Sequence, residues 1–299
     1  MITGSGGQDR NEELLGHKPF LVIADYLTNN GIAVLRFDDR GIAQSTGDHS
    51  NATSEDFARD VLAAVDFLKE RKEIDKTKIG LIGHSEGGMI APMTEIQSND
   101  VAFIVLMAGP GIPGDSIIYL QGELIQKVEG ASEEEAQKSS KVQRKIISSV
   151  KTIDDNDLLK EKLEEIFRSE YSFMSDKEKS ELGDLKTYLD TQIKTLTSQW
   201  FKCFLRYDPI PVLEKVKCPV LAINGENDLQ VPPKENLSAI QSALKKGGNK
   251  NYEVKELAGL NHLFQTSKTG AISEYGKIEE TISPIALQTM LDWIKKIVK

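Results

Sequence analysis

The sequence predicts an α/β fold in which a mostly parallel sheet is covered by helices on both faces. Short apolar runs alternate with segments of helical periodicity at both ends of the chain, which is the pattern of parallel strands joined by crossover helices. Residues 112–208, between these ends, have helical periodicity alone. A Gly-X-Ser-X-Gly pattern at residues 83–87 joins one apolar run to a helix, as expected of a sharp turn at the carboxyl end of a strand.

Two helices are indicated near the start of the chain. Pro19 can occupy the first turn of a helix whose apolar positions recur at helical spacing, and Asn30 with Gly31 ends it. Thr53 and Asp56 form the pattern of a capping box ahead of a second amphipathic helix.

Five short strands are predicted, and the first of them is apolar and β-branched enough to be buried on both faces. They are Ile32–Phe37, Lys78–Gly83, Val101–Gly109, Cys218–Gly225 and Tyr252–Leu257. Two further helices are predicted, from Pro233 to Lys246 and from Pro284 towards the end of the chain.

The chain is predicted to divide into a core in two parts, residues 1–111 and 209–299, and a helical insertion, residues 112–208. The insertion is rich in Glu, Lys, Gln and Ser, and its charge runs are typical of solvated helix faces. Because it lies between two strands of the sheet, we expect it above the carboxyl edge of the sheet as a cap.

Composition excludes several classes of protein. A chain of 299 residues with 39% hydrophobic residues can fill a sizeable core, and a net charge of −9 argues against a nucleic-acid surface. No apolar run approaches the roughly 18 residues of a membrane span. No signal peptide opens the chain, so we expect a cytoplasmic protein as the chain stands, or an exported one if a missing N-terminal segment carries a signal. The sequence does not indicate an oligomeric state.

The cysteine pattern gives no reason to expect a metal or another cofactor. Cys203 and Cys218 are the only cysteines, and no histidine lies near them at zinc-ligand spacing. We expect packed or idle thiols and no cofactor.

Ser85 is the candidate nucleophile. It lies between a predicted strand and a predicted helix, where a tight turn raises a serine hydroxyl above the sheet edge. Gly83 and Gly87 fit such a turn because larger side chains would collide in it. A plain strand-to-helix loop can carry the same pattern, so this interpretation depends on a base, an acid and an oxyanion hole elsewhere in the chain.

A serine nucleophile needs a base that takes its proton, and histidine is the natural one. His262 follows the last predicted strand, so it falls at the same sheet edge as Ser85. His84 is adjacent to Ser85 and its side chain is expected on the opposite face. His17 and His49 lie early in the chain, where surface histidine is the commoner explanation. We therefore predict His262 as the base.

The acid that orients the base is predicted on the loop that follows Gly225. Glu226 and Asp228 both lie there, and either could reach the histidine. We favour Asp228 because Val231 and Pro232 fix a short loop behind it. The resulting chain order of serine, aspartate and histidine is the order expected of a nucleophile elbow on a doubly wound sheet.

The oxyanion hole requires two backbone N–H groups that face the developing negative charge. One is predicted at Glu86, directly after the nucleophile. The other is predicted at Ser5 or Gly6, with Ser5 preferred, in the glycine-rich segment at residues 2–12.

Five motifs in order, TGSGGQDRNE, RFDDRGIAQSTG, GHSEGG, NGENDLQVP and GLNHLF, resemble those of the α/β-hydrolase superfamily. The first most resembles EstD-type bacterial carboxylesterases, and less closely the cinnamoyl-esterase and serine-aminopeptidase-like branches. The resemblance implies the α/β-hydrolase fold with a helical cap. It assigns Ser85 as nucleophile, Asp228 as acid, His262 as base, and Ser5 with Glu86 as oxyanion donors. Asp38 and Arg40 in the second motif are expected to be structural.

The resemblance implies a cofactor-free carboxylesterase that acts on small-molecule esters through an acyl-enzyme. A serine peptidase or amidase of the same fold, and a binding protein with a decayed site, are the alternatives. In one respect the sequence departs from the family, because almost nothing precedes the glycine-rich loop where the family has two or three strands. We therefore expect N-terminal strands to be missing and the loop to be weakly anchored.

Overall fold

Four parallel strands form the centre of the computed structural model, which describes residues 1–299. In both chain order and spatial order they are β1 (Gly80–His84), β2 (Phe103–Met107), β3 (Val220–Gly225) and β4 (Tyr252–Leu257). Every residue of β2 and β3 is buried, as expected of parallel strands covered on both faces. The predicted parallel sheet is confirmed.

Twelve α-helices surround this sheet. They are α1 (Pro19–Thr28), α2 (Ser54–Glu70), α3 (Glu86–Glu95), α4 (Gly114–Val128), α5 (Glu133–Thr152), α6 (Asn156–Phe173), α7 (Asp176–Leu182), α8 (Leu185–Leu196), α9 (Gln199–Arg206), α10 (Ile210–Leu213), α11 (Pro233–Lys246) and α12 (Pro284–Ile297). Two short 3₁₀ helices lie at Lys76–Lys78 and Ile272–Lys277. None of the helices is long and apolar enough to cross a membrane.

The helix boundaries follow the local signals of the sequence. Pro19 begins α1, and Gly31 follows its end with a positive φ of 83°. At the start of α2 the Thr53 backbone N–H donates to Asp56 Oδ2 at 2.9 Å, so the capping box forms as predicted.

The sheet separates two apolar clusters. One contains residues of α2, α3 and α11, and the other contains residues of α1 and α12. Adjacent residues of β2 alternate between them, since Ile104 packs in the first cluster and Val105 in the second. Helices therefore cover both faces of the sheet.

The stretch between β2 and β3 is helical throughout, from α4 to α10. It carries a third apolar cluster of its own, made of Ile147, Val150, Leu159, Leu163, Phe167, Leu189 and Leu205. The ends of the insertion are adjacent, because the Gly114 N–H donates to the Tyr207 carbonyl oxygen at 3.0 Å. The division into domains at residues 112 and 208 stays a prediction.

The predicted strand at Ile32–Phe37 is wrong, since these residues form no helix or strand. A strand requires a neighbouring strand with which to share hydrogen bonds. Here a mostly apolar cavity of about 320 Å³ separates residues 32–35 from β1. Met1 lines the same cavity, and its amino group donates to the Leu35 carbonyl oxygen at 2.8 Å.

Candidate active site

Ser85 lies on a strained turn between β1 and α3. Its φ of 52° and ψ of −117° are values that residues with side chains rarely adopt. A Cβ added to Gly83 would lie 2.0 Å from the Gly87 carbonyl oxygen, and one added to Gly87 would lie 2.2 Å from the Ile2 carbonyl oxygen. Only glycine permits these approaches, so the structure has the tight turn that the sequence predicts.

His262 and Asp228 form a buried pair at the same edge of the sheet. Asp228 follows β3 and His262 follows β4, and His262 Nδ1 lies 2.8 Å from Asp228 Oδ2. The other carboxylate oxygen, Oδ1, accepts hydrogen bonds from the backbone N–H groups of Gln230 and Val231, both at 2.8 Å. With a proton held on Nδ1 by the carboxylate, Nε2 of His262 is left as an acceptor.

Ser85 and His262 line one cavity of about 280 Å³. Their side chains are not hydrogen-bonded to each other in this structure. Such contacts often tighten only when substrate binds, and the shared cavity brings the two side chains to the same space.

The other candidate acid and bases have different partners. Glu226 is exposed and accepts the Gly259 N–H at 2.8 Å. The two ring nitrogens of His17 contact Thr281 and the Tyr275 carbonyl, and the His49 ring stacks on Phe57. Among the four histidines, only His262 contacts an aspartate that could orient it.

The two predicted oxyanion donors lie beside Ser85 in this cavity, which both Ser5 and Glu86 line. The Glu86 N–H begins α3, where backbone N–H groups have no acceptor within the helix. The Ser5 N–H donates to no backbone oxygen. The preceding Gly4 N–H is occupied, since it donates to Glu12 Oε1 at 2.6 Å.

The half-buried carboxylate of Asp39 anchors the glycine-rich loop at residues 3–8. Asp39 Oδ1 accepts the Thr3 hydroxyl at 2.8 Å, and Asp39 Oδ2 accepts the Gln8 N–H at 2.9 Å. Burial raises the pKa of Asp39 to about 6, although both hydrogen bonds oppose the shift. One side chain therefore holds both ends of the loop. The expectation that this loop is weakly anchored did not take this contact into account.

The second motif supplies structural ion pairs, as expected. Asp38 receives two hydrogen bonds from the Arg10 guanidinium and one from its backbone N–H, and the side-chain bond is the main reason that the pKa of Asp38 lies far below its usual range. Arg40 makes a bidentate contact with Asp60, at 2.7 Å to each oxygen.

Glu86 connects the serine turn to the helical insertion through its side chain. Glu86 Oε1 accepts the Ser54 hydroxyl at 2.5 Å and the Trp200 indole N–H at 2.8 Å. Ser54 begins α2 and Trp200 belongs to α9, so three elements meet at one buried carboxylate. Residues of α4 and α9 also line the cavity of Ser85, namely Ile117, Ile118, Gln121, Trp200 and Phe204.

The structure contains no cluster of three or more His, Cys, Asp or Glu side chains arranged to hold a metal ion. Cys203 and Cys218 are both free thiols.

Comparison with solved structures identifies the fold. Esterase Pf2001 of Pyrococcus furiosus matches with a TM-score of 0.58 and 16% identity over 99% of this chain and 80% of its own. The α/β-hydrolase GrgF of Penicillium sp. sh18 matches with a TM-score of 0.56 and 17% identity, over 99% of this chain and 88% of its own. The chain has the α/β-hydrolase fold.

Sequence comparison finds similarity to a serine aminopeptidase family model and to an esterase. A family model described as serine aminopeptidase, S33, matches residues 18–164. Esterase EstD of Thermotoga maritima is 26% identical over 265 residues, which are 88% of this chain and 53% of EstD. The chain therefore spans about half the length of that relative, and the resemblance to EstD is confirmed.

Glu12, Asp39 and Trp200 were not identified from the sequence. Each contacts the surroundings of Ser85 from a segment distant in sequence from Ser85, Asp228 and His262. Glu12 is the last residue of the first motif, and its position in the sequence does not indicate that its carboxylate accepts a hydrogen bond from the Gly4 N–H.

Proposed function

We propose that this protein is a serine carboxylesterase with Ser85 as nucleophile, His262 as base and Asp228 as the acid that orients the base. The observation that carries the proposal is that a serine on a strained strand-to-helix turn shares a cavity with a hydrogen-bonded histidine–aspartate pair. These are the parts that an acyl-transfer reaction needs.

The reaction proceeds by double displacement. His262 Nε2 takes the proton of the Ser85 hydroxyl while Oγ attacks the ester carbonyl carbon, and Asp228 stabilises the imidazolium that forms. The carbonyl oxygen becomes negative and accepts hydrogen bonds from the N–H groups of Ser5 and Glu86. The C–O bond then breaks, and the alcohol leaves with the proton from His262. Water, deprotonated by His262, hydrolyses the acyl-enzyme in the same way.

The N-terminus of α3 strengthens the oxyanion hole. The Glu86 N–H is the first of a ten-residue helix, and the positive end of the helix dipole favours negative charge at this position. The same end of the helix faces the cavity that Ser85 lines.

The charges that line the cavity favour neutral esters over peptides with a free amino terminus. An aminopeptidase needs a carboxylate to hold the substrate ammonium group. The carboxylates lining the cavity are Glu12 and Glu86. Glu12 contacts Gly4 and His84, and Glu86 contacts Ser54 and Trp200, so both already have partners. The family model described as serine aminopeptidase keeps peptidase activity as the second candidate.

We further propose that the helical insertion acts as a cap that limits substrate size. Its helices α4 and α9 form part of the cavity wall beside Ser85. The cavity volume of about 280 Å³ lies at the low end of ligand pockets, which span roughly 300–1,000 Å³. Short acyl groups should therefore be preferred.

The test is a substrate screen with the Ser85→Ala variant as blank. We expect turnover of p-nitrophenyl esters with short acyl chains, labelling of Ser85 by a fluorophosphonate, and little hydrolysis of aminoacyl p-nitroanilides. Hydrolysis of the anilides but not of the esters would assign a peptidase. If the probe leaves Ser85 unlabelled in the folded protein, the chain is a binding protein with a decayed site.

A further inference from the structure

We propose that Glu12 and His84 form a buried ion pair that positions the glycine-rich loop and the backbone of His262 around Ser85. Neither residue takes part in the reaction steps above. Both would be positioning residues for that reaction, so this inference rests on the proposed function.

The contacts of His84 fit a proton on each ring nitrogen. His84 Nδ1 lies 3.0 Å from Glu12 Oε1, and Nε2 lies 3.0 Å from the carbonyl oxygen of His262. A carbonyl oxygen can only accept, so Nε2 carries a proton. An ionised carboxylate can also only accept, so Nδ1 carries the second proton, and the ring is an imidazolium.

Glu12 has the contacts of an ionised carboxylate. Its Oε1 accepts the Gly4 N–H at 2.6 Å as well as the bond from His84. Its Oε2 is buried and has no hydrogen-bond partner, so compensation for its charge comes from the histidine. Glu12 also has a φ of 51°, a conformation that residues with side chains adopt mainly where surrounding contacts enforce it.

The groups around His84 favour the charged ring. Burial opposes the charge, but the Coulombic attraction and the hydrogen bond of Glu12 outweigh it, so the pKa of His84 lies above its usual value. The carbonyl of His262 and the charge of Asp228 act in the same direction. The remaining neighbours are aromatic rings, with the His262 ring centroid at 4.9 Å and that of Phe264 at 6.2 Å.

The ion pair joins the two halves of the proposed site. The contacts run from Gly4 through Glu12 and His84 to the backbone of His262. The Gly4 N–H directly precedes the proposed oxyanion donor Ser5, so one carboxylate oxygen holds the loop and the histidine together. A displacement of about 1 Å in such groups can lower turnover roughly 100-fold.

The charge balance of the pair matters because Glu12 is close to the nucleophile. A Cβ added to Gly4 would lie 3.3 Å from both Glu12 Oε1 and Ser85 Cβ. A carboxylate without a partner at this position would oppose the negative charge that develops on the substrate oxygen. The imidazolium of His84 cancels that charge.

The first experiment measures the protonation of His84 by NMR in protein labelled with ¹⁵N-histidine, and it needs no turnover. We expect the wild-type His84 ring to lose its second proton with a midpoint above pH 6.5, the usual value for histidine, and to lose it at lower pH in the Glu12→Gln variant. A wild-type midpoint at or below pH 6.5, or the same midpoint in Glu12→Gln, would overturn the proposal. If the wild-type protein hydrolyses no ester, the proposed function fails, and the NMR result still decides the ion pair.

The second experiment compares the kinetics of Glu12→Gln with those of Glu13→Gln, an exposed neighbour that pairs only with Lys18 at the surface. For Glu12→Gln we expect kcat to fall roughly 10-fold to 100-fold with little change in KM. The decline of kcat at alkaline pH should begin at lower pH, because His84 loses its counter-charge. Glu13→Gln should behave as wild type. Wild-type kcat and pH profile in Glu12→Gln would refute a positioning role.

The third experiment separates charge from packing. His84→Gln leaves the Glu12 carboxylate without a counter-charge, whereas the double variant Glu12→Gln/His84→Gln has no charge at either position. We expect the double variant to have a higher kcat than His84→Gln, with folding checked by thermal unfolding. A double variant that is no more active than His84→Gln would contradict the charge balance. If His84→Gln does not fold, the result for Glu12→Gln decides.

Discussion

At the scale of single residues, three buried or half-buried carboxylates hold together the two proposed halves of the site. Glu12 holds Gly4 and His84, Asp39 holds Thr3 and Gln8, and Asp228 holds His262. In each case the carboxylate accepts from a backbone N–H or a ring N–H of a loop that would otherwise be free to move. Catalytic geometry in this molecule therefore depends on charges placed behind the reacting groups.

The proposed triad predicts large losses of activity on substitution. Ser85→Ala and His262→Ala should each lower ester kcat by about 10⁴-fold or more, because each removes a group that bonds or carries the proton in the transition state. Asp228→Asn should cause a loss of similar order, because the base is then held in the wrong tautomer. Glu226→Gln is the matched control and should keep wild-type kcat. A severe loss in Glu226→Gln with a mild loss in Asp228→Asn would transfer the acid role to Glu226.

Asp39 predicts a pH dependence of stability. Its pKa is raised by burial from 3.8 to about 6, so the folded state holds this proton more tightly than the unfolded state. The resulting stabilisation is complete below pH 4 and is lost as pH rises through about 6, and it amounts to about 3 kcal/mol. The free energy of unfolding of wild type, relative to Asp39→Asn, should therefore fall between pH 4 and pH 7 in urea titrations. The exposed variant Asp66→Asn should follow wild type, and a constant difference between wild type and Asp39→Asn would contradict the prediction.

The site residues that could be predicted from the sequence are those that follow a strand. Ser85, Asp228 and His262 each follow a strand of a parallel sheet, and the carboxyl ends of such strands share one edge, so their order and position were readable from the sequence. Glu12 and Asp39 reach the site through irregular backbone. Irregular backbone has no sequence periodicity, so its path in the fold cannot be predicted from the sequence. For that reason the positions of Glu12 and Asp39 were not predicted.

At the scale of elements, the helical insertion is joined to the serine turn by one buried carboxylate. The Trp200 indole N–H and the Ser54 hydroxyl both donate to Glu86 Oε1. The indole ring also stacks on Phe204, with centroids 5.6 Å apart. The position of α9 over the cavity is therefore coupled to the first turn of α3, which carries the proposed oxyanion donor.

Trp200→Phe tests this coupling. The substitution keeps an aromatic ring but removes the indole N–H, which leaves Glu86 with one donor fewer and should lower stability by about 1–3 kcal/mol. Because α9 forms part of the cavity wall, loosening it should admit longer substrates. The kcat/KM for long acyl esters should therefore rise relative to that for short acyl esters. Phe173→Leu, which changes an aromatic side chain of the insertion that is 72% exposed, is the control. An unchanged ratio in a folded Trp200→Phe protein would show that the insertion does not select substrates through this contact.

The elements also show where pattern reasoning failed. The strand predicted at Ile32–Phe37 has an apolar, β-branched character like that of β2 and β3, which do form. Its composition favours a strand, but a strand also needs a neighbouring strand for its backbone hydrogen bonds. Here a cavity lies between this segment and β1. Local sequence therefore predicted four of the five strands and could not predict the absence of a partner for the fifth.

At the scale of the whole molecule, apolar packing is divided between the sheet and the insertion. Two clusters of 22 and 20 buried residues cover the faces of the sheet, whereas the insertion has a separate cluster of seven. A small cluster on helices of mixed charge stabilises its own element less than a covered parallel sheet does. The insertion should therefore open locally at lower free energy than the sheet.

Two fully buried leucines provide a matched test of that division. Leu221 lies in β3 and Leu163 lies in α6, and both are 0% exposed. Replacing either with alanine removes the same groups and should cost about 2–5 kcal/mol locally. In Leu221→Ala the loss should appear in global unfolding, with faster amide hydrogen exchange throughout the sheet. In Leu163→Ala faster exchange should be confined to α5, α6 and α8, because the residues that Leu163 packs against lie mainly there, and the amides of β1 to β3 should keep wild-type rates. Equal acceleration of sheet and insertion amides in Leu163→Ala would show that the two parts unfold as one cooperative unit.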